Sequence, residues 1–128
     1  MSGLEIAGVV LGALPLVISA LEHYAEGVNT TRRYWRYKTE LRSLILNVKT
    51  ERSIFINTLG QLLAGVVSFE QINVLLLDPC GQPWRAPGSE QRLQRRLAKA
   101  YDTYFENVKG MDDALRAMMV RLALDANG

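Results

Sequence analysis

The sequence predicts an all-α fold, an antiparallel four-helix bundle, and three observations carry that expectation. Leu93, Leu97, Ala100, Tyr104, Val108, Met111, Leu115, Met118 and Leu122 recur at spacings of three and four, the period of one helix face. A second stripe of the same kind runs through Tyr34, Tyr37, Leu41, Leu44, Val48, Phe55 and Leu62. No segment alternates apolar and polar residues as a half-buried strand does, and no internal repeat of 20–50 residues is visible.

The chain of 128 residues is the size of one domain, and we expect a single unit over 1–128, the N-terminal part of a longer protein. A folded chain this long buries about 65% of its unfolded surface, enough for a core without covalent or metal staples. One cysteine, Cys80, excludes an internal disulfide, and one histidine, His23, excludes zinc sites built on several imidazoles. The net charge of +2 is unevenly spread. Residues 1–27 carry three acids and no base, residues 28–52 are net +5, and residues 85–99 are net +4. Two basic blocks in an otherwise mildly acidic chain point to an anionic partner.

The first predicted element is short and apolar. Residues 6–21 hold no charge between Glu5 and Glu22, and Pro15 is expected to kink or split the helix they form. Sixteen helical residues span about 24 Å, short of the ~30 Å hydrocarbon core of a bilayer. The run lacks the basic leading edge and clear A-x-A site of a secretory signal. Being apolar nearly all round, it is expected to be buried in the resting state. Gly27 and Asn29-Thr30-Thr31 mark a break, after which a long amphipathic helix is expected over about 30–64. Ser68 is placed to cap a short helix at 69–77 that presents Phe69, Ile72, Leu75 and Leu76. Residues 78–88 hold three of the four prolines and read as a loop, with Trp84 as its anchor. Ser89 starts the last helix, in which Gly110 marks a bend.

No catalytic constellation appears. G-x-S-x-G, H-E-x-x-H, Walker A and G-x-G-x-x-G patterns are all absent, so neither an enzyme nor a cofactor or metal site is expected. His23 reads as a helix-surface histidine and Cys80 as a reduced loop cysteine. Gly8 and Gly12 form a G-x-x-x-G in the apolar helix, which suits close packing inside the bundle or, in the sharper reading, helix self-association. Arg92, Arg95, Arg96 and Lys99 fall at i, i+3, i+4 and i+7 and so share one helical face, and Arg32, Arg33 and Arg36 form a second cluster. Such faces serve solubility or contact anionic lipid. Tyr34, Trp35 and Tyr37 between the arginines suit a membrane interface. The small total charge and the lack of a helix-turn-helix pattern argue against nucleic acid.

The opening Met1-Ser2-Gly3-Leu4-Glu5-Ile6-Ala7-Gly8-Val9-Val10-Leu11-Gly12-Ala13-Leu14-Pro15 and its continuation to Tyr24 resemble the start of the fungal HeLo and HeLo-like domains, the helical modules of heterokaryon-incompatibility and prion-inhibition-and-propagation proteins. The segments Tyr34–Lys38, Tyr101–Tyr104 and Leu122–Gly128 are similar to the same group. The resemblance implies a membrane-targeting, oligomerising cell-death module that is cytoplasmic at rest and moves to the plasma membrane on activation, beside an upstream or downstream signalling domain. It implies that residues 4–21 insert, through Leu4, Ile6, Val9, Val10, Leu11, Leu14, Leu16, Val17, Ile18 and Leu21. In a homo-oligomer Gly8 and Gly12 would face neighbouring copies, and Glu5 and Glu22 would form acidic rims at the two ends. The competing expectation is a soluble helical adaptor that mediates protein–protein contacts in signalling.

Overall fold

The computed structural model describes residues 2–27, 32–79, 81–86 and 88–127, with the side chains of 32–37 and 123–127 left aside. The chain is all-helical, and no strand occurs among the described residues. Its helices are α1 (Gly3–Gly27), α2 (Arg32–Leu63), α3 (Phe69–Leu77), α4 (Ser89–Leu97) and α5 (Tyr101–Asn127), with 3-10 turns at Gln82–Arg85 and Ala98–Ala100.

α1 is longer than expected. It runs unbroken for 25 residues, about 37 Å, straight through Pro15. Proline costs a helix one donor and crowds the preceding turn, but Pro15 sits on the exposed side while Leu14 and Val17 beside it are buried. Packing on the buried side holds the helix together across the missing bond. α2 matches its predicted range closely and buries Val48, Phe55, Leu59 and Leu63, whereas Leu44 of the predicted stripe stands exposed. α3 falls where expected. Ser68 and Gln71 form a reciprocal cap, the Gln71 N–H donating to Ser68 Oγ (3.4 Å) and the Ser68 N–H to Gln71 Oε1 (3.2 Å). Of the four apolar residues this helix presents, Ile72 and Leu75 are buried and Phe69 points out to solvent.

The predicted last helix is two helices. It breaks at Ala98–Ala100, where Ala98 takes φ 50°, in the half of backbone space that non-glycine residues avoid. α5 then continues through Gly110, where the sequence predicted the bend.

The core is organised around α1. Leu4, Ala7, Val10, Leu11, Leu14, Val17 and Leu21 are buried in one cluster with Phe55, Leu59 and Leu63 of α2, Val108 and Leu115 of α5, and Trp84 and Leu93. α1 packs on both α2 and α5, and Leu14, Val48, Glu51, Met111, Ala114 and Leu115 line the cleft where the three helices meet. Gly3 lies against Tyr101, Tyr104 and Phe105, while Val9 and Ala13 share a groove with Leu115, Arg116 and Met119. α1 and α5 therefore run in the same direction, unlike the first and last helices of an antiparallel four-helix bundle. The reason is length: α3 and α4 have nine residues each, too few for a full return pass, so they form a corner at one end.

Candidate functional site: an apolar helix and its clasp

A helix start leaves backbone N–H groups without partners. In α1 they are met by its own cap and by a distant carboxylate. The Glu5 N–H donates to Ser2 Oγ at 3.1 Å. The N–H groups of Gly3 and Leu4 donate to Glu90 Oε1 (3.2 Å) and Oε2 (3.1 Å). Glu90 thus places a negative charge at the positive end of the α1 dipole. Tyr101 donates its hydroxyl to the same carboxylate, and Tyr104 donates to the Gly3 carbonyl at 3.1 Å. Together Glu90, Tyr101 and Tyr104 make a polar clasp over the first turn of the most apolar helix in the chain. Burial raises the Tyr104 phenol well above the ordinary tyrosine value, and the nearby Glu90 carboxylate adds to the shift. Tyr101 is raised by burial and by its bond to Glu90.

The loop expected around Trp84 is fastened by it. Trp84 is 2% exposed, and its Nε1–H is shared between the carbonyls of Leu75 (3.0 Å) and Asp78 (3.1 Å) at the end of α3. Its ring covers Gly8, where a Cβ would come within 2.9 Å of the indole. Gly8 is therefore a packing residue in this state, the plainer of the two meanings of the G-x-x-x-G motif. Gly12 is half-buried on the side of α1 that also carries Val9, Ala13 and Leu16.

Of the residues expected to insert, Leu4, Ile6, Val10, Leu11, Leu14, Val17 and Leu21 are buried, Val9 and Ile18 half-buried, and Leu16 64% exposed. α1 is the one helix among the described residues long and apolar enough to cross a membrane, a property that the core helix of a soluble protein shares. Glu22 pairs with Lys49 at 3.1 Å rather than standing free, and Glu5 is half-buried at the capped end. His23 is exposed, while Cys80 lies outside the described residues.

The basic face is not the single stripe that spacing predicted. The break at Ala98 takes Lys99 off the helix that carries Arg92, Arg95 and Arg96. Arg96 is engaged: its guanidinium donates to the Gln61 carbonyl at 3.1 Å and packs on Gly65, closing the C-terminal end of α2. Arg92 bonds the Gly88 carbonyl through Nε at 3.3 Å and stays exposed, as do Arg95 and Lys99. Arg32, Arg33 and Arg36 begin α2, and their side chains lie outside the described set. No group of three or more His, Cys, Asp or Glu among the described residues could hold a metal ion.

The clasp was not foreseen. No sequence pattern singles out Glu90, and only the tertiary structure brings it 87 positions back to Gly3. Tyr104 falls on the apolar stripe of the last predicted helix, and the segment Tyr101–Tyr104 carries part of the family resemblance, but neither pattern points to a cap on α1. Comparison with protein-family models, with curated proteins and with solved structures finds no match to this chain.

Proposed function

We propose that the protein is a membrane-permeabilising helical module that stores its inserting helix, α1, in the core and delivers it to a bilayer. The observation that carries this reading is the combination of an apolar 25-residue helix at the centre of the core with a small polar clasp at its start. Each fully buried Leu or Val of α1 is worth about 1.5–3 kcal/mol against water. Those residues cannot leave for water, but hydrocarbon hides them equally well. The balance between core and bilayer then rests on what lipid cannot replace, namely the clasp of Glu90, Tyr101 and Tyr104 and the Glu22–Lys49 pair. Membership of the HeLo-like group, homo-oligomer formation through the α1 face with Gly12, and movement from cytoplasm to plasma membrane are parts of the same proposal. So is the resting architecture: a four-helix bundle in which the α3–α4 corner stands for the third helix and α2 runs against both α1 and α5.

The test is dye release from vesicles containing phosphatidylserine by the full chain. Release that is faster for Glu90→Gln than for the parent supports the reading. Intact vesicles with both proteins, at any protein-to-lipid ratio, contradict it. The soluble-adaptor reading is favoured by one observation, the exposed Phe69 and Leu77 of α3, which would suit a protein partner.

A further inference from the structure

α3 presents large apolar side chains to solvent. Phe69 is 78% exposed, Leu77 85% and Val74 52%, while Ile72 and Leu75 on the opposite side carry the packing. A nine-residue helix with this much exposed apolar surface is unusual for a soluble protein. Its neighbours are cationic. Val74 and Arg92 line the same hollow between α3 and α4, and Arg85 follows Trp84, whose indole is bonded to the carbonyls that end α3. Arg95 is exposed on α4. The segment 85–99 holds five bases and one acid, and that acid, Glu90, is turned inward to α1. Glu70 on α3 and Asp78 just past its end oppose the three exposed arginines without cancelling them.

We infer that the α3–α4 corner is a docking surface for an anionic lipid bilayer, used while α1 is still clasped. Exposed apolar side chains on α3 together with exposed arginines on the adjoining turn and α4 supply the two chemistries of such a membrane interface: Phe69 and Leu77 enter the headgroup–acyl boundary, and Arg85, Arg92 and Arg95 meet lipid phosphates or carboxylates. The corner also holds Glu90, so two of the arginines that meet lipid, Arg92 and Arg95, and the carboxylate that holds α1 belong to one short helix, α4. The inference rests on the membrane reading above but not on insertion of α1, because none of the docking residues is needed to bury α1.

Flotation of the full chain with phosphatidylserine/phosphatidylcholine vesicles tests it. The parent should float, and Phe69→Ser with Leu77→Ser should weaken partitioning by about tenfold or more. Both positions are exposed, so circular dichroism should be unchanged. Arg92→Gln with Arg95→Gln should also weaken flotation, and added salt should weaken that of the parent. A serine variant that floats as well as the parent overturns the docking surface and leaves permeabilisation by α1 to stand or fall on dye release. Equal flotation of the parent on phosphatidylcholine alone overturns the role of the arginines. A parent that ignores vesicles but binds polyglutamate overturns the inference in favour of an acidic protein partner.

Discussion

Trp84 sits directly on Gly8, so close that a methyl group at Gly8 would meet the indole at 2.9 Å. This contact joins the Pro-rich loop to the apolar helix and explains why a glycine is needed there. Trp84 is buried and held by two carbonyls, so it resists being pushed aside. Gly8→Ala should therefore destabilise the fold by about 1–3 kcal/mol, the usual cost of overpacking, as read by urea denaturation. Unchanged stability would show that the ring can move aside. Changing Gly8 and Gly12 together to leucine should consequently perturb the resting core as well as helix association.

Glu90 reaches the first turn of α1 from the far side of the sequence. Glu90→Gln keeps the shape and removes the charge, leaving one acceptor oxygen for two backbone donors. Hydrogen bonds to charged groups are worth about 1.5–3 kcal/mol, and the partial exposure of this site lowers that, so a loss of about 1 kcal/mol is expected. Amide exchange at Gly3 to Ile6 should accelerate more than exchange in α5. Equal protection of α1 in the variant and the parent would remove Glu90 from its role.

Tyr104 ties stability to alkaline pH. Burial favours its neutral phenol, so the folded value lies above that of an unfolded tyrosine. The stability this contributes is whole below about pH 10 and is lost as pH rises from there through the folded value. Thermal midpoints of the parent should fall in that range. Lysines titrate there too, so the control is Tyr104→Phe, which should be less stable at neutral pH yet lose stability less steeply above about pH 10. Parallel alkaline slopes would contradict the assignment.

Much of the fold was legible from local pattern. The α3 boundaries followed from Ser68 and the apolar spacing after it, and the anchoring by Trp84 from an aromatic placed among prolines. What the sequence concealed was tertiary. Nothing in the run around Ala98 marks a break, because an alanine in positive φ carries no local signature. Pro15 read as an interruption because the packing that bridges it comes from α2 and α5. The shared direction of α1 and α5 follows from how short the α3–α4 corner is, and the clasp from that direction. Among the site residues, the burial of α1 was visible in composition. The engagement of Arg96 with Gln61 and of Glu22 with Lys49 was not, since spacing places charges on faces but does not reveal what stands opposite them.

Whether α1 leaves the core and enters a bilayer is read most directly at Leu16. It lies near the middle of α1 and is 64% exposed, so Leu16→Asp should leave the resting fold intact, apart from about 0.5 kcal/mol of helix propensity. In a bilayer the same aspartate would sit near the centre of the inserted helix, at a cost of about 2.5–3.5 kcal/mol per copy. The measurement is dye release from phosphatidylserine vesicles by the parent and by Leu16→Asp, with matching circular dichroism and thermal midpoints. The expected result is a folded variant that docks on vesicles but no longer empties them. A folded Leu16→Asp protein that releases dye as fast as the parent would contradict insertion of α1.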